Sequence, residues 1–297
     1  DRELGHARKS VKYAYIEITE KCNLSCPFCP SAELNGHRGE MPLSRFEKIL
    51  ESLQGKVQEI FLHVLGEPLL HPQFAGILKA VDASDFKLNL TTNGVLIAKH
   101  ADSLLASSSL RQINFSTHAY AYLPRKKALS VLNDSFDFAE RLNAERPEVY
   151  LNFRLWNDHA DSTSDAWNAT VFQLLAERFQ TDLSQTVFSV RHKSFPITGR
   201  LYLHRDSRFT WPNGSGEEKE KGTCHGIIDQ CGVLFDGTVV PCCLDYKGNI
   251  PLGNLPDETW DSIFTSEKAE RIRKGFEHHK LVDPFCKCCP FARRFQS

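Results

Sequence analysis

Strand, loop and helix follow one another repeatedly along the first two-thirds of the chain, and this alternation limits the fold more than any other feature. Residues 11–19, VKYAYIEIT, alternate as a strand does and run into a loop, after which Ser44 and Glu47 in SRFE have the spacing of a capping box that opens a helix. The pattern predicts further strands over 59–65, 87–92, 112–117, 149–156 and 187–192, with helices near 73–82, 95–106, 127–144 and 166–179. Strands this apolar in β/α order imply a parallel sheet and an α/β class. Right-handed crossovers then curl residues 11–209 into an open (β/α)6 partial TIM barrel.

Residues 210–222, TWPNGSGEEKEKG, are rich in Gly, Pro and charge and read as a linker. Beyond them, 223–297 form a smaller domain. In it GVLFDGTVVPCC (232–243) reads as a hairpin turning at Asp236-Gly237, because a tight turn needs positive φ. An amphipathic helix is expected over 257–276, leading to PFCKCCPFA at 284–292.

Lys and Arg number 36 against 37 Asp and Glu, a net charge of -1, so there is no global field to recruit nucleic acid or anionic lipid. The chain has no apolar run of the length that spans a bilayer, and DRELGHARKS lacks the apolar segment of a secretory signal. A cytoplasmic protein with no membrane or nucleic-acid partner is expected.

Ten cysteines avoid residues 30–223 and gather at the two ends, whereas a disulfide scaffold spreads its bridges through a small secreted chain. They read as ligands. Cys22, Cys26 and Cys29 follow C-x3-C-x2-C with Phe28 before the third, and no fourth cysteine lies nearby to complete a structural zinc site. Three thiolates suit a [4Fe-4S] cluster with one iron left open, while clusters that only carry electrons normally take four.

C-x3-C-x-aromatic-C after the first strand resembles the signature of the radical S-adenosylmethionine (radical SAM) enzymes. The resemblance implies that SAM binds the open iron, that one electron cleaves it to a 5'-deoxyadenosyl radical, and that this radical removes a substrate hydrogen atom. It further implies cofactor contacts from Phe28, from Gly66, Glu67 and Pro68 in LGEPLLHP (65–72), from Thr92 and Asn93 in TTNG, and from Ser116 in STHA. LGEP resembles the family's Gly-Gly-Glu-Pro motif with Leu65 in place of the first glycine. Arg154 and His192 end the fifth and sixth expected strands, on the face where parallel barrels place their active sites.

Cys224, twelve residues, Gly237, four residues and Cys242, followed by Cys286-x2-Cys289, resemble the SPASM/twitch extension of that family. The short series implies one auxiliary [4Fe-4S] cluster closed by Cys224, Cys242, Cys286 and Cys289, hence two clusters in all. A zinc ribbon is the alternative for this set. Cys231 and Cys288 read as small buried or exposed thiols. Cys243 is also left over.

Three functions compete. A dehydrogenase of a sugar or aminocyclitol-type alcohol, with Arg154 or His118 holding the hydroxyl, is favoured because a closed auxiliary cluster collects the surplus electron. An epimerase returning hydrogen from a thiol such as Cys243, or a peptide (RiPP) maturase, is the alternative. Only 21 residues precede Cys22, too few for a leader-binding domain, so a peptide substrate needs a separate carrier. A noncatalytic iron-sulfur or zinc protein is the remote reading. The expected partners are a small-molecule or peptide substrate and a one-electron donor such as flavodoxin or ferredoxin.

Overall fold

A computed structural model describes residues 10–33, 39–158, 160–183, 192–208 and 210–292. The described strands are β1 (Tyr13–Ile16), β2 (Glu59–Phe61), β3 (Lys87–Thr92), β4 (Leu110–Phe115), β5 (Tyr150–Asp158), β6 (Ser194–Thr198), β7 (Leu201–Ser207), β8 (Gln230–Val233), β9 (Thr238–Val240) and β10 (Gly253–Asn254). The described α-helices are α1 (Leu43–Leu53), α2 (Phe74–Asp82), α3 (Ile97–Ala106), α4 (Arg125–Glu145), α5 (Ser162–Phe179), α6 (Trp260–Phe264), α7 (Glu267–Glu277) and α8 (Pro284–Lys287). They fall into two compact units: residues 1–22, 29–87 and 210–297 make the first, and 23–28 with 88–209 make the second.

In the first unit β1 pairs in parallel with β2 on one side and β8 on the other, and β9 and β10 continue antiparallel from β8. The C-terminal hairpin thus extends the sheet from β1 itself. α1 buries Phe46, Ile49, Leu50 and Leu53, the one-sided spacing of an amphipathic helix. Its start departs from the expected capping box: Pro42 is the N-cap, Leu43 the first residue, and no side chain caps the end. The fixed φ of Pro42 begins the helix before Ser44 is reached.

The hairpin has the expected Gly237 at φ +91, although four residues, not two, join its strands. The helix expected over 257–276 is divided into α6 and α7, because Ser266 adopts an extended conformation and its side chain accepts the Ala269 N–H at 3.2 Å.

The second unit has the order β3-β4-β5-β7-β6, parallel from β3 to β7. The sixth strand expected at 187–192 falls almost wholly on 184–191, outside the described residues. The parallel neighbour of β5 is instead β7, reached through the antiparallel β6 and a turn in which Gly199 has φ +51. Along β5, Leu151, Phe153, Leu155 and Asn157 are buried, while Tyr150, Asn152, Arg154 and Trp156 on the other face are half-buried. Phe153 packs on Phe115, Phe136 and Phe179, which joins β4, α4 and α5 to the buried face.

Candidate active site

The end of β1 organises the glycine loop of the first unit. The Glu17 carboxyl oxygen Oε1 accepts the Leu65 N–H at 3.0 Å, and the Glu67 N–H donates to the Lys21 carbonyl at 2.8 Å. Gly66 between them has φ +75, and a Cβ there would stand 2.0 Å from the Thr19 carbonyl oxygen, so both conformation and space demand glycine. Leu65 needs no such freedom. Its side chain is buried in an apolar cluster with Val64, Leu234, Val240 and Tyr246, which explains why leucine serves where the family motif has glycine. Buried Glu67 accepts the Leu69 N–H at 3.1 Å and caps a short 3-10 turn at Pro68–Leu70. Cys22, Cys26 and Cys29 are half-buried, and the Cys29 sulfur lies 2.9 Å from the Ser31 hydroxyl.

Cys224, Cys242, Cys286 and Cys289 edge one cavity of about 500 Å3, mouth included, whose other walls include Phe276, Phe285 and Phe291. Burial first, then the neighbouring thiolates, pushes Cys242 well up; burial, then Asp283 and the Cys224 and Cys289 thiolates, pushes Cys286 up. Cys224 rises for the same main reason. Coordination to a positive cluster relieves such crowded thiolates, so the donor set fits an iron-sulfur group. Among the described residues no three His, Cys, Asp or Glu side chains are gathered as a single metal ion requires. Four thiols set around a cavity suit a polynuclear cluster, in which each iron takes one thiolate. Cys243 does not edge this cavity. It packs against the apolar cluster of Leu65 and Tyr246, as Cys29 does, and burial, with Cys224 as the lesser cause, pushes its thiol up to about 12. Cys231 is fully buried in β8, and Cys288 is buried as well.

The second unit supplies a polar face. Thr91, Asn114, Asn152 and Tyr202 are register neighbours across β3, β4, β5 and β7, and Arg154 stands beside His204 one step further along. The Asn114 side-chain oxygen accepts from Asn152 at 2.9 Å and from Gln112 at 2.8 Å. Where β3 and β4 end, three expected contact residues come together: Thr92 Oγ1 accepts the Gly94 N–H, Asn93 donates to Asn23 at 2.6 Å, and the Ser116 N–H donates to the Thr92 carbonyl.

His118 sits on this side, buried, with Nδ1 3.0 Å from the Arg154 carbonyl oxygen. A carbonyl only accepts, so Nδ1 carries the proton and Nε2 is left as an acceptor. Burial, followed by the Arg154 charge, lowers His118 to about 4. Its ring lies 6.4 Å from Trp156 and nearly parallel to it, and the Arg154 guanidinium lies 4.5 Å over the Trp156 ring. The Trp156 N–H donates to Nδ1 of His204 at 2.8 Å, which fixes the opposite tautomer there, and burial and Arg154 bring His204 to about 4 as well. Sequence reasoning missed His204. Its signal was the placement of a histidine in the alternating LYLHRDS, masked by reading the last strand at 187–192.

Residues 16–144 match the radical SAM superfamily and 224–290 match an iron-sulfur cluster-binding domain, SPASM. The chain is 32% identical to the tungsten-containing aldehyde ferredoxin oxidoreductase cofactor-modifying protein of Pyrococcus furiosus, over 94% of this chain and 87% of that one. This chain belongs to the radical SAM superfamily. Its cofactors are therefore [4Fe-4S] clusters, in the radical SAM core and in the SPASM region, and SAM. The fold is also that of solved radical SAM enzymes. Native anSMEcpe with bound AdoMet and Cp18Cys peptide matches at TM-score 0.57 and 16% identity over 95% of this chain and 86% of that one. BtrN in complex with AdoMet and 2-DOIA matches at TM-score 0.52 and 14% identity, over 94% and 93%. No described helix is long and apolar enough to cross a membrane.

Proposed function

We propose that this radical SAM enzyme is an oxidoreductase that converts a secondary alcohol of a polar small molecule, of sugar or aminocyclitol type, into a ketone. The observation that carries the reading is the single cavity edged by Cys224, Cys242, Cys286 and Cys289, with Cys243 outside it. Four thiolates close a cluster against substrate and fit it to receive an electron. When bound, the first cluster, held by Cys22, Cys26 and Cys29, and SAM, held at Gly66, Glu67 and Pro68, supply a one-electron cleavage that creates a hydrogen-atom acceptor. Flavodoxin or ferredoxin is the fitting external donor.

His118 suits the proton's part of the reaction. Loss of the carbinol hydrogen atom leaves a carbon radical; loss of its hydroxyl proton to Nε2 and of one electron then leaves the ketone, so atoms and charge balance. A group lowered to about 4 is a weak base. The hydroxyl on a carbon radical is a far stronger acid than its parent alcohol, and Arg154 favours the developing negative oxygen, so a weak base suffices. The name of the Pyrococcus relative supports a second reading, in which the substrate is a cofactor destined for another enzyme; the amide-rich face of β4 and β5 suits a polar heterocycle as well as a sugar.

The test uses anaerobic, reconstituted protein with SAM, dithionite and a panel of amino sugars and cyclitols. Deuterium placed at the carbinol carbon should appear in 5'-deoxyadenosine, with one ketone per SAM cleaved. An alcohol product carrying solvent deuterium at the reacting carbon, and lost in Cys243→Ala, would overturn the reading in favour of epimerisation.

A further inference from the structure

Phe28, the aromatic residue of the cysteine loop, is enclosed by groups from distant parts of the second unit. Its ring centroid lies 5.3 Å from that of His118 and 5.8 Å from that of Tyr122, and the Arg208 guanidinium carbon lies 5.3 Å over its face. Arg208 is itself held in place. Its Nη2 donates to Asp161 Oδ2 at 3.1 Å, to Ser164 Oγ at 3.3 Å and to the Tyr122 hydroxyl. That hydroxyl donates in turn to Asp161 Oδ2 at 2.9 Å, and the other Asp161 oxygen accepts the Ser164 N–H at 2.8 Å, capping α5. The Ser164 N–H chiefly, with Tyr122, the Ser164 hydroxyl and Arg208, holds the Asp161 carboxyl down to about 2. It stays charged at every working pH, and so the network persists.

An exposed ion pair by itself contributes little. Here the pair has a geometric consequence: it holds a planar cation over the Phe28 ring, a placement that suits arginine better than lysine. The ring belongs to the segment 23–28, which also carries Cys26. We propose that Arg208, fixed by Asp161 and Tyr122, is a positioning residue that clamps Phe28 against His118 and so sets the cysteine loop for SAM. The proposal rests on the reading of Phe28 as a SAM neighbour.

The test compares reconstituted holoenzymes by iron content, SAM titration, melting temperature and the change in the reduced cluster's electron paramagnetic resonance signal when SAM is added. Arg208→Ala and Phe28→Leu should each weaken SAM binding by roughly 2- to 30-fold, the range of a cation–π contact, with iron and melting temperature unchanged. The double variant should be no weaker than the weaker single one, because the two residues act as one unit. Arg208→Lys should fall between wild type and alanine, and the SAM-induced spectral change should shrink in the same order. Normal SAM affinity in Arg208→Ala beside a weakened Phe28→Leu, or losses that simply add, would overturn the clamp. Normal affinity in Phe28→Leu would remove Phe28 from the SAM site and the clamp with it. If Arg208→Ala takes up no iron, Tyr122→Phe and Arg208→Lys decide, and wild-type affinity in both overturns the proposal.

Discussion

Burial acts in opposite senses on the cavity thiols of the first unit and the buried imidazoles of the second. In the first it pushes the thiols of Cys242, Cys243 and Cys286 up, and in the second it pushes the imidazoles of His118 and His204 down. The physics is the same, since a low-dielectric site disfavours whichever form is charged. The outcomes differ because a thiol does its work as the anion and an imidazole acceptor does its work neutral. The cysteine cavity therefore reaches its working state only when metal draws the protons off, whereas His118 and His204 already have their tautomers fixed by the Arg154 carbonyl and the Trp156 N–H. One region is completed by its cofactor; the other is preorganised by the chain.

The largest effect expected from this contrast is at the cavity. Cys242→Ala should remove about four of the roughly eight irons that two clusters hold and lower the melting temperature of the holoenzyme. Amide exchange should rise over 212–292, because metal binding there is also folding free energy. Cys243→Ala should keep its iron, since that side chain packs in the apolar cluster and does not edge the cavity. Iron lost from Cys243→Ala and kept by Cys242→Ala would reverse the assignment.

A smaller effect is expected at His118, and it needs no metal to be seen. Its folded-state value of about 4 lies below the ordinary 6.5, so its neutral form is the one that folding favours. That contribution is complete above pH 6.5 and declines as the pH falls toward 4, because the unfolded chain takes up the proton first. Urea midpoints measured from pH 7 to 4 should fall less steeply in His118→Gln than in wild type. In turnover, His118→Gln, which puts an oxygen near the Nε2 position, should retain more activity than His118→Asn, which reproduces only the Nδ1 side. A loss of roughly 100- to 10,000-fold is expected for asparagine. Equal activity in the two variants would remove His118 from proton transfer.

The two regions also differed in how far the sequence disclosed them. Cysteine spacing reports ligand chemistry directly, so both sets of thiols were legible, as were Gly66 and the β/α order of the parallel strands. Spacing alone favoured Cys242 over Cys243, and of the two only Cys242 edges the cavity. The polar region was less legible because its groups lie far apart in the chain: His204 stands on β7 beside Arg154 on β5, and Arg208 reaches Asp161 and Tyr122. β7 follows a hairpin turn at Gly199, and its half-polar alternation, LYLHRDS, lacks the apolar run by which the other strands declared themselves. Helix starts were misread at Ser44 and at Thr265-Ser266 for a local reason. A backbone already turned by Pro42 needs no side-chain cap, and a serine in extended conformation ends one helix as it begins the next.

The smallest expected effect lies at Glu17, a carboxyl of the first unit that, like the histidines, is favoured in its neutral form. Fully buried below the glycine loop, it accepts the Leu65 N–H with one oxygen. Burial, and less strongly Glu20 and Asp236, raise it to about 8 against the opposing N–H groups of Leu65 and Phe235, so at neutral pH it is the uncharged acid. A raised carboxyl contributes fully below its unfolded value of 4.5, and the contribution is lost as the pH rises through about 8. Glutamine keeps an acceptor for Leu65 and cannot ionise. Glu17→Gln should therefore bind SAM as wild type does at pH 7, and gain stability relative to it between pH 5 and 8, by at most about 1.4 kcal/mol per pH unit. Glu17→Ala should instead lose about 1–3 kcal/mol by stranding the Leu65 N–H, and should weaken SAM binding through the displaced Gly66 and Glu67. Stability curves of wild type and Glu17→Gln that run parallel from pH 5 to 8 would mean that Glu17 is ionised in the fold, and that its charge is met by a group other than Leu65.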